Sequence, residues 1–309
     1  MSTRYRAAGL ALASVAALSL ATLGLCAGPA AAKRFRNLDE AGRTIDGGRA
    51  VEVIVAQGEI KSNIIVSQTP GQGLVGALIA AAIDAKINSD RAHKAESAIQ
   101  PLRAALNGYD VDAAAMSATQ AGVDKTSWFK SQAMSVSRDE SVPGRTVFLD
   151  ASGKTQVAFF SYGYEMTPDF SAVRVTLEVE IVDRAAGQAA GSDHRFSHDS
   201  LPMFQHLVCV EVLPGATTLA DDNVNRWAAD NGKLARLALN AAFGDMKELI
   251  PRALELTDPE VKLMRGKDKK RETLGDYTGR IQDEGPTGQL MYSDLDGLVS
   301  VRPLVGAGL

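Results

Sequence analysis

The clearest secondary-structure prediction in this chain comes from a segment in which apolar and polar residues alternate strictly. From residue 173 to residue 181 every odd position is apolar and every even position is polar; the apolar positions are Val173, Val175, Leu177, Val179 and Ile181. Successive side chains of a β-strand point to opposite faces, so the pattern predicts an antiparallel strand with one buried face and one face in water. The chain must therefore build a sheet with a core on one side.

Further strands are predicted on both sides of this segment. Residues 157–164 precede it, and the turn-forming sequence Thr167-Pro168-Asp169 lies between them, which predicts an antiparallel hairpin. Residues 206–213 follow it and end at Pro214-Gly215. Other β segments are predicted at 51–55 and 60–67, as a hairpin or as one bent strand, and at 289–292 and 298–303, joined through 294–297.

Helical periodicity accounts for most of the remaining chain. The predicted helices cover residues 74–86, 90–106, 111–121 and 219–256. Asp110 is an expected N-cap and Ser89-Asp90 another, while Gly108 is a natural helix stop. Asn231-Gly232 and Pro251 are expected to divide the last helix.

This order of elements favours an α+β fold in two layers. A mainly antiparallel sheet would carry helices on one face, with a small C-terminal β unit added. The predicted organisation is a signal peptide, a flexible leader, one α+β domain, and a charged linker with the C-terminal β unit; these cover residues 1–32, 33–48, 49–257 and 258–309.

The N-terminus has the three parts of a secretory signal peptide. Arg4 and Arg6 precede an uncharged run from residue 7 to residue 25, and Ala30-Ala31-Ala32 supplies an A-x-A cleavage site. The sequence therefore predicts export from a bacterial cytoplasm to the periplasm by a Sec-type signal, with cleavage after Ala32.

Two alternatives to a free exported protein stay open. The run is long enough to serve as an uncleaved anchor, although Lys33, Arg34 and Arg36 would then follow it. Leu23-Gly24-Leu25-Cys26 could also be a lipobox, in which a lipidated Cys26 would tether the chain to a membrane. The bulky Leu25 before the cysteine argues against lipidation, because the lipoprotein peptidase prefers a small residue there.

Charge and cysteine content limit the classes of partner. Removing the predicted signal takes away Arg4 and Arg6 and no acid, so the formal net charge changes from −4 to −6. A mildly acidic protein gives no reason to expect nucleic acid as a partner. If Cys26 leaves with the signal, Cys209 remains as a single thiol, and an internal disulfide is excluded.

A glycine motif, Gly71-x-Gly73-x-x-Gly76, resembles a dinucleotide-binding loop because it precedes a predicted helix. That fingerprint requires a second parallel strand with an acid about 20 residues further on, and here a helix follows instead. Small residues that let this helix pack closely on a sheet are the preferred explanation.

The residues most suggestive of chemistry are His194, His198 and Asp199. Three of the four histidines fall between residues 194 and 206, and zinc or another divalent ion binds such donors when they converge. His206 and Cys209 are separated by an odd number of positions on a strand, so they are expected on opposite faces, with Glu211 on the Cys209 face. A solvated polar loop is the competing explanation of the cluster.

These observations favour a non-catalytic envelope protein that binds or scaffolds other components, including other copies of itself. Two alternatives are a metal-dependent hydrolase built on the 193–199 histidines, with zinc as the cofactor, and an outer-membrane lipoprotein subunit that uses residues 71–85 for assembly contacts. No other cofactor and no transmembrane span after signal cleavage are expected.

Overall fold

The structure is a computed structural model that describes residues 35–45, 47–63, 73–184, 196–197 and 200–304, with the backbone alone for residues 73–85. Six helices lie within these ranges. They are α1 Glu40–Arg43, α2 Gly73–Leu106, α3 Val111–Asp124, α4 Val142–Ala151, α5 Ala220–Glu255 and α6 Asp258–Met264.

Ten strands form a single sheet in the same part of the chain. They are β1 Arg49–Ile54, β2 Lys61–Ser62, β3 Ser131–Ser137, β4 Gln156–Met166, β5 Ala172–Asp183, β6 Met203–Val212, β7 Arg271–Leu274, β8 Tyr277–Gly285, β9 Gly288–Ser293 and β10 Gly297–Pro303. The strand order is β3-β1-β4-β5-β6-β10-β9-β8-β7, and β2 pairs with β4. The predicted α+β class with a mainly antiparallel sheet is confirmed.

The centre of the sheet is the predicted antiparallel meander. β4 and β5 pair from Gln156 opposite Asp183 to Met166 opposite Val173, and β5 pairs with β6 in the same antiparallel sense. The turn between β4 and β5 contains Pro168, as the sequence predicts. β1 and β2 both pair with β4 in parallel, one after the other, so residues 49–62 follow one edge of β4. β1 and β2 are separate strands that pair with β4, so the predicted hairpin is wrong, and residues 64–67 of the predicted second segment lie outside the described residues.

One face of the sheet packs under α2, α3 and α5. We call it the helix face; it carries Val53, Phe160, Val179 and Leu207, all fully buried. Side chains from these positions form the main core cluster together with the apolar side of α5. Burial of so many large apolar side chains is the main stabilising contribution of the fold.

The helices differ from their predictions in two places. Residues 87–90 are helical, so α2 is one continuous helix, because no glycine or proline interrupts it there and Ser89-Asp90 does not act as a cap. Within α5 the backbone is non-helical from Ala229 to Gly232, as Asn231-Gly232 predicts, whereas Pro251 does not end the helix. α3 starts as predicted, with the Asp110 carboxylate accepting from the Ala113 amide.

The opposite side of the sheet, which we call the second face, is also covered. Two smaller apolar clusters lie on it: one contains Phe159, Leu149 of α4 and Phe196, and the other contains Val210 and Met291. The short helix α4, which the sequence pattern did not reveal, therefore packs on this face.

The prediction that β5 has one face in water is wrong. Arg174 is 8% exposed and Glu180 is 4% exposed, although both lie at polar positions of the alternating segment. α4 and Phe196 cover one end of that row, and Tyr277 of β8 covers the other. The alternating pattern thus predicted which face of the strand these residues occupy, but it could not predict which elements pack over them.

The C-terminal strands extend the main sheet. β10 pairs in parallel with β6, from Leu298 opposite Leu207 to Pro303 opposite Val212, and β9, β8 and β7 follow as antiparallel neighbours. The predicted β9–β10 hairpin is confirmed. The charged stretch 264–273 includes the start of β7, which the sequence pattern did not indicate.

The N-terminal end of the described chain is held against the sheet. Phe35 stacks on Phe204 with a ring-centroid distance of 6.0 Å, and Arg36 forms an antiparallel bridge with the same residue. Leu38 is buried and Asp39 caps α1. The segment predicted as a leader, 33–48, therefore contributes contacts to the core over residues 35–45.

Candidate functional site

The residues predicted to bind metal or to carry a lipid lie outside the described residues. This applies to His194, His198 and Asp199, and also to Cys26. Among the residues that the structure describes, no group of three or more histidine, cysteine or acidic side chains is arranged to hold a metal ion. The metal site at 194–199 stays a prediction.

His206 and Cys209 lie on opposite faces of β6, as their spacing predicts. The His206 ring lies on the second face, with Nδ1 3.0 Å from the carbonyl oxygen of Asp296. Cys209 and Glu211 are buried on the helix face. Burial raises the pKa of the Cys209 thiol well above its ordinary value, and the nearby Asp245 and Glu211 carboxyls add to this rise. The thiol is therefore protonated and unreactive.

One buried charge on the second face is enclosed between aromatic rings. The Arg145 guanidinium of α4 lies 4.5 Å from the Phe159 ring centroid and 4.7 Å from that of Phe196, and it forms an ion pair with Glu180. Burial raises the pKa of the neighbouring Glu52 to about 7, although the positive charge of Arg145 opposes this. The cluster attaches α4 and Phe196 to the sheet.

A cleft lies at the other end of the second face, beside Arg174, and we call it the Arg174 cleft. It has a volume of about 410 Å³. Its apolar walls come from the β4–β5 turn, β6, β7 and β10, and its polar groups are those of two turns and of Arg174. Its lining residues include Pro168, Val210, Val212, Leu274, Tyr277 and Val301. A cleft of this size with apolar walls and few polar groups is typical of small-molecule sites.

Arg174 reaches the cleft from the polar row of β5. Its Nη1 donates to Glu165 Oε1 at 2.9 Å and its Nη2 donates to Asp276 Oδ2 at 2.7 Å. The guanidinium carbon lies 5.0 Å from the Tyr277 ring centroid. Burial lowers the pKa of Arg174, but Tyr277 and the two carboxylates more than offset this, so the pKa rises and the group keeps its charge.

One donor of this arginine is unused. Nε is buried and has no hydrogen-bond partner among the described residues. A buried donor left without an acceptor costs about 1–3 kcal/mol. The arrangement therefore contains a charged group with one unsatisfied donor beside an apolar cavity.

The β4–β5 turn that forms one wall is fixed from below by α5. Trp227 Nε1 donates to the Phe170 carbonyl oxygen at 2.7 Å, and Asn223 Nδ2 donates to the Asp169 carbonyl oxygen at 2.9 Å. Phe170 has a φ of 54°, a left-handed conformation that is unfavourable for a residue with a side chain. The hydrogen bond from Trp227 helps to hold this conformation, so this wall of the cleft is preorganised.

The opposite wall is a tight turn between β7 and β8. Gly275 has a φ of 58°, which glycine adopts at little cost, and Asp276 follows it directly. The Asp276 side chain is 57% exposed, whereas that of Glu165 is 26% exposed and also accepts from Asn63. The Glu165 carboxylate is thus fixed by more contacts than the Asp276 carboxylate.

A second cavity of about 440 Å³ lies near the C-terminal end of α2. Its arginine, Arg103, binds the Glu59 carboxylate with Nε at 3.2 Å, donates to the Ile60 carbonyl oxygen, and pairs with Glu96. Each guanidinium nitrogen of Arg103 therefore has an acceptor, unlike the Nε of Arg174. This difference makes the Arg174 cleft the stronger candidate.

Sequence reasoning did not find this site. Arg174 was assigned to a face in water, and no motif marks it. One feature of the sequence does distinguish Arg174: it is the basic residue among the alternating polar positions of β5, and the others are Thr176, Glu178 and Glu180. The apolar walls come from distant strands, so spacing along the chain could not reveal them.

The fold and cleft define an α+β protein with a covered second face and a cavity between the meander and the C-terminal strands. Comparisons with protein-family models, with curated protein sequences and with solved structures give no match for this chain. Within the described ranges, none of the helices combines the length and apolar character needed to cross a bilayer.

Proposed function

We propose that this chain is an exported, non-catalytic binding protein of the bacterial cell envelope and that the Arg174 cleft is its ligand site. Export rests on the charged start, the uncharged run and the Ala30-Ala31-Ala32 sequence. The observation that supports binding is Arg174: this buried, ion-paired residue lines an apolar cleft, and its Nε has no hydrogen-bond partner among the described residues.

Binding is favoured over catalysis by what the polar groups of the cleft already do. Thr167 Oγ1 and Ser171 Oγ both donate to Asp169 Oδ1, at 2.9 and 2.7 Å, so these hydroxyls stabilise the turn that carries them. Nucleophilic catalysis needs a hydroxyl paired with a base that can accept its proton. A carboxylate that collects donors from its own turn serves a structural purpose.

The first experiment tests the location. Mass spectrometry of the chain purified from its native host should give a mature N-terminus at Lys33. A chain that begins at a lipid-modified Cys26 would contradict the free periplasmic protein and support the tethered alternative. A chain that keeps residues 1–32 would contradict export with cleavage.

The second experiment tests the cleft. Ligand-observed NMR on the chain from Lys33 onward, with a panel of small acids, amines and neutral apolar compounds, should identify binders. We expect Val212→Trp, a substitution of a half-buried cleft residue, to abolish their binding, and Leu274→Trp on the other wall to do the same. Leu263→Trp on α6 is the matched control, because Leu263 is exposed.

Two outcomes would contradict binding at the cleft. Either no compound of the panel binds at millimolar concentration, or the compounds that bind do so equally well to the two cleft variants and to the control. Circular dichroism of each variant checks that the fold is retained.

A further inference from the structure

We propose that the Arg174 cleft binds the carboxylate of a small ligand with an apolar body, and that Asp276 occupies part of the carboxylate position when the ligand is absent. This inference rests on the proposed function, since it names the ligand class of the same site. It follows from the donors of Arg174, from the exposure of its two partners and from the walls of the cleft.

The free donor of Arg174 specifies the type of ligand atom. A guanidinium has donors and no acceptor, so a group that satisfies Nε must be an acceptor. Nε and Nη2 form one edge of the guanidinium plane, and a carboxylate fits such an edge with two parallel hydrogen bonds. Asp276 uses Nη2 through its Oδ2 atom, and Nε has no partner among the described residues. The edge is therefore only half used.

Asp276 is the partner that can leave. Its side chain is 57% exposed, it follows Gly275 in a turn, and among the described residues its carboxylate has one hydrogen-bond donor, Arg174. Because the Asp276 carboxylate is exposed, water can solvate it when it leaves Arg174, so this pair is easier to break than one that is buried on both sides. Glu165 stays in place, because it is more buried and also accepts from Asn63. A ligand carboxylate that takes both Nε and Nη2 thus exchanges one hydrogen bond for two.

The walls specify the rest of the ligand. Val210, Val212, Val301, Leu274 and Pro168 line the cleft. Their apolar surface gains from contact with hydrocarbon. A volume of about 410 Å³ is near the lower end of the range for ligand sites, so the body is small. A short branched fatty acid and the C-terminal leucine of a peptide share this chemistry.

The acidic residues around the cleft affect anionic and cationic ligands in opposite ways. Glu165 and Asp276 both pair with Arg174, and Asp169 also lines the cleft, so a cationic ligand would gain from the acids and a carboxylate would be repelled by them. Removing the charge of Asp276 must therefore act in opposite directions on the two ligand types. Asp276→Asn strengthens a bound carboxylate and weakens a bound amine.

The test uses isothermal titration of the chain from Lys33 onward with 4-methylpentanoate and with 4-methylpentanamide, which share the same apolar body; the amide head group is neutral and has one acceptor oxygen instead of two. We expect the acid to bind at least tenfold more tightly than the amide. Asp276→Asn should tighten the acid threefold to tenfold, and Asp268→Asn, which removes an exposed acid elsewhere, should leave it unchanged. Arg174→Lys keeps the charge but loses the planar edge, and it should weaken the acid at least tenfold.

A peptide ending in Leu-Leu, with a free or an amidated C-terminus, distinguishes the two sources of the carboxylate. Binding of the free peptide but not of 4-methylpentanoate assigns the site to chain ends; binding of 4-methylpentanoate alone assigns it to small acids. Both outcomes support a carboxylate site.

The inference is overturned if the acid and the amide bind equally, if Asp276→Asn weakens the acid, or if amines bind at the cleft and acids do not. In these cases the cleft still binds ligands and the proposed function stands. If no compound binds the cleft, both fail. Because Arg174→Lys could lower the stability of the fold, the Asp276→Asn variant and the amide give the result independently of it.

Discussion

The helix face of the sheet and its second face are covered by different kinds of element. The helix face presents Val53, Phe160 and Val179 to three helices, and the resulting apolar cluster is continuous. The second face has two smaller apolar clusters, and it also buries Arg174 and Glu180. Long helices with an apolar stripe cover the first face, whereas turns, a short helix and the C-terminal strands cover the second.

This contrast explains how the charges on the second face are paired. Buried charges are costly unless they are paired, and the second face supplies partners from the elements that cover it. Arg145 of α4 pairs with Glu180 of the sheet, and Arg174 of the sheet pairs with Asp276 of the β7–β8 turn. Stability is thus expected to depend mainly on the helix face, and ligand recognition on the second face.

The strongest way to break the helix face is Trp227→Ala. Trp227 is fully buried and its ring nitrogen donates to the Phe170 carbonyl oxygen. We expect the free energy of unfolding to fall by about 3–5 kcal/mol, measured by chemical denaturation. The exposed Leu263→Ala is the control, with a change below about 0.5 kcal/mol. If both variants lose the same small amount, the helix face is not the main source of stability.

Arg145→Ala tests the second face in the same way. It leaves Glu180 buried without its counter-ion and removes the guanidinium that lies between two phenylalanine rings. We expect a loss of about 3 kcal/mol of unfolding free energy. The double variant Arg145→Leu with Glu180→Leu removes both charges and should recover part of this loss. A double variant as unstable as the sum of the two single ones would contradict an ion-pair role.

Glu211 is a buried acid on the helix face, and its Oε1 atom has no partner among the described residues. Burial, together with the nearby Asp245 charge, raises its pKa from 4.5 to about 8, although Arg302 opposes the rise. The folded chain keeps this proton where the unfolded chain has lost it. The contribution of Glu211 to the free energy of unfolding is therefore fully present below pH 4.5, and it declines as the pH rises to about 8.

The measurement is unfolding free energy against pH for wild type and Glu211→Gln. We expect wild type to lose at most about 1.4 kcal/mol per pH unit relative to the variant within this window. Parallel curves for the two proteins would show that Glu211 is ionised in the folded chain at pH 5.

The smallest expected effect is a difference in stability between alanine substitutions at two glycines of α5. Gly232 has a φ of 71°, and a Cβ there would lie 3.1 Å from the Ala105 carbonyl oxygen, whereas a Cβ at Gly244 would meet nothing within 4 Å. Gly232→Ala should cost about 1–2 kcal/mol, because left-handed backbone is unfavourable for alanine. Gly244→Ala should raise stability by about 0.5–1 kcal/mol through helix propensity. Thermal unfolding of both variants decides this, and equal changes would contradict the interruption of α5 at Gly232.

Much of the architecture could be predicted because its signals are local. The alternation at 173–181, the Pro168 turn and the Asp110 cap each depend on residues a few positions apart. β3, α4 and β8 escaped prediction because they lack a sustained apolar period. Ser89-Asp90 misled for the opposite reason, since a sequence able to cap a helix is also compatible with the interior of a longer one.

The candidate site could not be predicted for a geometric reason. Its charged group is on β5, the competing carboxylate is on the β7–β8 turn, and they are separated by 102 positions in the sequence. The pairing of β10 with β6 brings these elements together. The sequence displayed a different candidate, His194 with His198, simply because those residues are close along the chain.

The sequence by itself determined the α+β class, the central meander, the break in α5 and which strand residues share a face, because backbone periodicity and turn chemistry are local properties. The tertiary structure decided that both ends of the polar row of β5 are buried, that Arg174 has one partner from β4 and one from a distant turn, and that a cleft opens beside it. Burial depends on what packs over a residue, and the elements that cover Arg174 lie far from it along the chain.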